Sequence, residues 1–315
     1  MKWPSSLLAL VLLAACSAAP TPSASAPPNI TLYTSVTQNT VDEVVNGFKA
    51  ANPGANVEVF RATTGNLNAR IAGDQRTGGV QADVIWGTDP LSMQSYAAQG
   101  FLRAKPITAP DGIPSLGVDQ LYATRVLHVV IVAAKGVPVA DWPDLAGPAV
   151  QGSVAVPDPA AAGSALAALG HFGVDYYRTL KDNGAAQVAT VPEVITTVAE
   201  GRYKAGITLD SEVRAAITKG SPVQLVWPSS GAVAVYSPIA ATTREQNRSG
   251  AEKFLSYVLS ADGQKAIAKT GWQPVLPGVA GPPKPEGAKE INPDWTELFG
   301  KQQEVLKQYQ ALFGK

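Results

Sequence analysis

Between residues 29 and 100 the hydrophobic period switches back and forth, and this restricts the fold more than any other feature of the chain. Asn29-Ile30-Thr31-Leu32-Tyr33-Thr34 is rich in β-branched and aromatic residues and predicts a strand. Val41, Val44, Val45 and Phe48 then recur at helical spacing, with Asn39 or Thr40 as candidate cap and Asn52-Pro53-Gly54 as the stop. Val57-Glu58-Val59-Phe60 predicts a second strand, Leu67 to Arg76 a second helix, and Ala82-Asp83-Val84-Ile85-Trp86 a third strand. A third helix follows from Leu91 to Ala98, ending at Gly100. A β-α-β-α-β-α order implies a mostly parallel sheet with helices on its faces. Ligands of such sheets bind where strands end and helices begin, so the informative residues follow each strand.

The pattern continues less regularly. Val126 to Ala134 is an apolar stretch long enough to run between two lobes, and Val233 to Ile239 is a candidate return crossing. Between them lie predicted strands at Ser153–Pro157, Ala205–Asp210 and Val223–Trp227. Helices are expected from Ala160 to about Leu169, Asp175–Asn183 and Glu193–Glu200. Two helices, Arg248–Leu259 and Ala261–Lys269, lead to a last amphipathic one in which Trp295, Leu298, Phe299, Gln302, Val305, Leu306, Tyr309, Leu312 and Phe313 recur every three or four positions.

The first 28 residues follow different rules. Lys2, the apolar run Leu7–Leu13 and Ala14-Ala15 before a lone Cys16 read as a signal peptide over residues 1–15, too short in its apolar part to span a bilayer. Leu13-Ala14-Ala15-Cys16 resembles a bacterial lipobox, which implies acylation of the Cys16 thiol and a lipid-anchored protein on the extracytoplasmic face of the cell membrane. A plain secretory signal is the alternative. The Ala-, Ser- and Pro-rich stretch up to Pro28 carries nothing bulky to bury and reads as a flexible tether.

Composition excludes several functions. With 25 basic and 25 acidic residues the chain has no net charge, and no basic run marks a nucleic-acid binder. A single cysteine allows no intrachain disulfide, and two histidines leave little for a His-based metal site. No Gly-x-Ser-x-Gly elbow occurs, and neither His128 nor His171 sits in a strand–turn–helix setting, so the expectation is a protein without enzyme activity or cofactor.

Particular segments carry a likeness. Thr31-Leu32-Tyr33-Thr34-Ser35, Thr63-Thr64-Gly65, Gln81-Ala82-Asp83-Val84-Ile85-Trp86, Val156-Pro157-Asp158-Pro159 with Ala162-Gly163-Ser164, and Leu259-Ser260-Ala261-Asp262-Gly263-Gln264 occur in family order. Together they resemble the solute-binding proteins of bacterial ABC importers, in the branch holding ferric-ion, thiamine, polyamine and 2-aminoethylphosphonate receptors. The resemblance implies an α/β fold of the periplasmic-binding-protein-like type II, with two parallel-sheet lobes joined by a double crossover. Lobe 1 would take residues 29–130 and 238–315, and lobe 2 residues 131–237. It implies a monomer that closes on one small-molecule solute and hands it to an ABC permease driven by an ATPase. A ligand sensor coupled to a membrane kinase is the alternative role.

The candidate ligand-binding residues are Thr34 and Ser35, Thr63, Thr64 and Gly65, Thr88 and Asp89, Gly163 and Ser164, and Asp210. Each stands at a strand end or helix start, where free N–H groups and the helix dipole favour an anion. Each is also a natural helix cap, and for Asp89, followed by Pro90, capping is the preferred reading. Asp210 either caps a helix starting near Ser211 or meets an ammonium group. Arg125 is within reach of an anion or at the surface. Among the aromatics Trp86, Tyr122, Trp227, Tyr236 and Trp272, one or two are candidates for stacking on solute. The ferric receptors use adjacent tyrosines at the end of a second-lobe strand. Here that stretch reads Gly206-Ile207-Thr208-Leu209-Asp210-Ser211, and Tyr176-Tyr177 lies in a predicted helix where neighbours diverge by about 100°. An organic solute, anionic or zwitterionic, is therefore expected, with ferric iron as the alternative.

Overall fold

The computed structural model describes Met1 and residues 27–314. The expected signal peptide beyond Met1, the expected acylation site at Cys16 and most of the expected tether lie outside the described residues.

The first three βα units form as the periodicity predicts, with boundaries displaced. The elements are β1 (Asn29–Thr34), α1 (Gln38–Ala51), β2 (Asn56–Arg61), α2 (Thr64–Arg76), β3 (Val84–Trp86) and α3 (Pro90–Ala98). α1 starts earlier than its apolar stripe suggested: Thr37 is the N-cap, and Thr40 instead hydrogen-bonds Thr270 from inside the helix. α2 is capped by the Thr63 side chain, which accepts from Asn66 N–H. A long strand β4 (Tyr122–Ala134) then leads to β5 (Val154–Pro157), α4 (Gly163–Asp182), β6 (Ala186–Val188), α5 (Val191–Ala199), β7 (Ala205–Leu209), α6 (Asp210–Thr218) and β8 (Val223–Val226). The chain returns through β9 (Ala232–Ala241) to α7 (Arg248–Leu259), α8 (Ala261–Lys269), two short strands β10 (Gln273–Pro274) and β11 (Glu290–Ile291), and α9 (Trp295–Phe313). The two helices expected around residues 160–183 are one run with a kink. At Gly173 φ is 73°, a left-handed value that suits glycine and turns the axis.

The strand order is β2-β1-β3-β9-β4-β7-β5-β6. Parallel pairing joins β1 to β2 and β3, and β5 to β6 and β7. Between these two parallel sets run β9 and β4, antiparallel to each other and to their outer neighbours. β4 carries the chain into the second lobe and β9 brings it back, which is the double crossover of the type II fold. Their residues are nearly all buried, as a strand covered on both faces requires. α9 packs on α4 and also on α3, where Gln302 Nε2 donates to Ser95 Oγ at 2.9 Å.

This topology sets the geometry of the cleft. Parallel strands end together, so the loops after β1, β2 and β3 share one edge, and those after β5, β6 and β7 share another. The two edges face each other across the crossing strands.

Candidate functional site

A cavity of about 240 Å³ lies between these edges. From the first lobe it is lined by Ser35, Thr63, Thr64 and Thr88, and from the second by Gly163 and Ser164, six of the residues expected from sequence. Threonines and serines gather here because they stand where strands end and helices begin. Thr88 Oγ1 lies 3.2 Å from Ser35 Oγ and 3.3 Å from Thr64 Oγ1, a hydroxyl chain along the first-lobe wall. On the opposite wall α4 starts at Gly163 behind Ala162, which has no side chain to cap the helix, so its first N–H groups need acceptors from elsewhere. Thr190, the N-cap of α5, also lines the cavity.

The lobes touch, so this is a closed arrangement. Gly163 N–H donates to Thr64 Oγ1 at 3.1 Å, and Gly65 N–H donates to Ala161 O at 3.3 Å. Both glycines are needed for the approach. A Cβ on Gly65 would stand 2.6 Å from Ala160 O, and one on Gly163 would stand 2.0 Å from Asp89 Oδ2. Gly65 thus serves closure and does not line the cavity.

Three other expected residues also lie off the cavity. Thr34 is fully buried, its hydroxyl donating to Trp86 O at 2.8 Å and accepting from Val36 N–H. Asp89 is the N-cap of α3: Oδ1 accepts from Ser92 N–H at 2.7 Å, while the buried Oδ2 has no partner among the described residues. Burial pushes its carboxyl from 3.8 to about 6, against the pull of the cap hydrogen bonds. Asp210 corrects the expectation most. It opens α6 and turns inward, 2.5 Å from Arg214 Nη1 and 3.6 Å from His128 Nδ1. Burial alone would raise its pKa; His128 and Arg214 outweigh burial and hold it down. With the Arg214 guanidinium in contact and the His128 ring beside it, it is not free for a solute ammonium.

The charged residues on the cavity wall are Arg61, Arg125 and Glu212. Arg125 dominates. The β4 ladder has a bulge between Ala123 and Arg125, held by Thr124, whose hydroxyl donates to Ser237 O and accepts from Trp86 Nε1. Bulges re-aim side chains, and this one turns a guanidinium toward the cleft. Arg125 is fully buried, and none of its three guanidinium nitrogens has a hydrogen-bond partner among the described residues. Its Cζ sits 4.2 Å from the centre of the Trp272 ring, which also lines the cavity. Burial lowers its pKa from the ordinary arginine value to about 9, with Glu212 acting in the opposite sense, so it stays charged at neutral pH.

Glu212, in the first turn of α6, was not anticipated. It is half-buried, and burial raises its carboxyl above the ordinary value although Arg125, Lys219 and Arg61 pull it down. The available signal was its place at the third position of a helix that begins at a strand end. Trp272 was a candidate aromatic. Trp86, in contrast, is buried in the core beside Thr124, and Trp227 packs against His128.

With this geometry in view, the similarities to known proteins fall into place. The sequence pattern of the bacterial extracellular solute-binding proteins matches residues 30–273. The molybdate-binding protein ModA of Mycobacterium tuberculosis is 27% identical over 243 residues, 75% of this chain and 80% of its own. Two solved structures share the fold. The periplasmic binding protein AfuA of Actinobacillus pleuropneumoniae, with exogenous fructose-6-phosphate bound, superposes with a TM-score of 0.79 at 17% identity, covering 90% of this chain and 98% of that one. The apo ferric ion-binding protein A of Pasteurella haemolytica gives 0.77 at 16%, covering 91% and 99%. Among the described residues no helix is long and apolar enough to cross a membrane. The chain belongs to the bacterial extracellular solute-binding protein family, and its part is that of a substrate-binding receptor of the importer type.

Proposed function

We propose that this family member is the receptor of an ABC importer that captures a small anionic or zwitterionic organic solute, such as a phosphonate, between its lobes and delivers it to a permease. In this reading acylated Cys16 tethers a monomer to the outer face of the membrane. The observation that carries the ligand class is Arg125. A guanidinium buried without hydrogen-bonding partners is costly, and an anion supplied by the solute offsets that cost in the closed form. The bidentate geometry of arginine suits a carboxylate, phosphate or phosphonate. Around it, hydroxyls of Ser35, Thr64, Thr88 and Ser164 and the uncapped start of α4 offer further donors to the same group. Two of the relatives named above agree in kind: one is named for an oxoanion and another holds a sugar phosphate. The cavity is at or below the small end of ligand sites, which run from about 300 to 1,000 Å³.

The test is calorimetric titration of the mature domain after unfolding and refolding to strip carried-over ligand. The panel is 2-aminoethylphosphonate, phosphate, molybdate, small carboxylates, a polyamine, thiamine and ferric citrate. Tight binding of one or more oxoanions is the expected result. Binding of the polyamine or thiamine alone, or of iron independently of its anion, overturns the assignment, because Arg125 repels a cation.

A further inference from the structure

The same cavity that holds Arg125 is lined by a carboxylate, Glu212, whose charge would oppose a simple anion there. The other acid of this turn, Asp210, is occupied by Arg214 and His128. Glu212 makes no hydrogen bond and no ion pair among the described residues. Its oxygens are not sealed off from the cleft, so the carboxylate is open to a donor there while Arg125 and Arg61 act on it only at longer range. Charge balance points the same way. Arg61 and Arg125 against Glu212 leave the wall with one net positive charge. A solute carrying a doubly charged oxoanion and one ammonium group has one net negative charge, the complement of that wall.

We propose that Glu212 is the specificity-determining residue for the second end of the solute, accepting a hydrogen bond from an ammonium group while Arg125 holds the oxoanion. The ligand class is then an amino-substituted phosphonate or phosphate ester, with an amino carboxylate, which has no net charge, the weaker fit. The amine and the anion are divided between elements: β4 supplies the guanidinium, and the first turn of α6 supplies the carboxylate. The strand end at Leu209 brings the two together, because β7 pairs directly with β4 and α6 starts where β7 stops. The helix dipole at α6 favours an ionised Glu212, and an ammonium beside it completes the pair. An oxoanion lacking the amine would instead bring its negative charge toward this carboxylate.

This inference rests on the anion-receptor reading of the cleft, and matched ligand pairs separate the two. Refolded wild-type protein and Glu212→Gln are titrated with 2-aminoethylphosphonate against ethylphosphonate, phosphoethanolamine against ethyl phosphate, and β-alanine against propionate. In at least one pair the wild type should prefer the amine by about 10- to 100-fold, the range of a hydrogen bond to a charged group. Glu212→Gln should bring that ratio to about 1, chiefly by weakening the amine and tightening its desamino partner. Thermal unfolding of the variant checks that its fold is kept. Equal binding within every pair by the wild type, or an amine preference untouched in the variant, overturns the role of Glu212 and leaves the anion receptor standing. Failure of all six probes to bind overturns both.

Discussion

Replacing Arg125 by Met should make the ligand-free protein more stable and a much poorer receptor, an opposition that few structural residues would produce. Met keeps much of the apolar stem and removes the charge. Lowering the guanidinium pKa from its ordinary value to about 9 corresponds to about 5 kcal/mol against the buried cation. The Trp272 face returns about 1–2 kcal/mol of this, leaving about 3 kcal/mol in the closed form. A cation whose folded pKa is depressed destabilises the fold at every pH below that value. The penalty fades only as pH rises above about 9 toward the ordinary arginine value, so it is complete at pH 7. Urea unfolding of stripped protein at pH 7 should therefore show Arg125→Met gaining up to about 3 kcal/mol, less to the extent that the free protein opens its cleft. Calorimetry with an oxoanion that the wild type binds should show a loss of about 30- to 1,000-fold, the usual result of removing one partner of a buried charged pair. A variant that unfolds more easily than wild type would mean that the guanidinium holds the fold together, and the reasoning would fail. Undiminished affinity would remove it from the site.

Two further perturbations probe closure and its chemistry. Gly163→Ala places a methyl 2.0 Å from Asp89 Oδ2 and 2.8 Å from Thr88 Oγ1, so affinity should fall at least about tenfold while the unfolding midpoint hardly moves; small-angle scattering with ligand should show a wider molecule, and unchanged closure would refute the contact. Asp89→Asn keeps a good N-cap and removes a charge whose folded pKa is raised from 3.8 to about 6. For such a group, stability is fully present below 3.8 and is lost as pH rises through about 6, so the Asn variant should exceed wild type by up to about 3 kcal/mol at pH 8 and match it near pH 3.5. A difference that does not change with pH would contradict the buried carboxylate.

The sequence reveals the scaffold because hydrophobic period and strand–helix order are local signals. Ser35, Thr63, Thr64, Thr88, Gly163 and Ser164 were found by one rule, that sites follow strands, and the parallel pairing brings all six to one cavity. The same rule over-selected. Whether Thr34 turns its hydroxyl to the cleft or to Trp86 O depends on one step of strand alternation. Asp210 and Glu212 are both acids in one helical turn, and which lines the cavity is set by where Arg214 and His128 lie, a tertiary fact. Arg125 was in view but ambiguous. Its direction comes from a bulge at Thr124, held by Trp86, 38 residues away, and by Ser237, 113 away, and no local pattern announces that.

The crossing strands also govern when the molecule can form. β3 ends the first parallel set, and its free edge, Val84 to Trp86, is filled by Ile239 to Ala241 of β9, more than 150 residues later in the chain. A growing chain therefore carries an unfinished, apolar sheet edge until three-quarters of it has been made. Such long-range pairing slows folding and leaves the edge open to wrong partners. For a protein of an extracellular family this delay is useful. A chain whose first sheet stays unfinished until its last quarter is made would remain threadable during export, and would become a receptor only on the side where its solute is found.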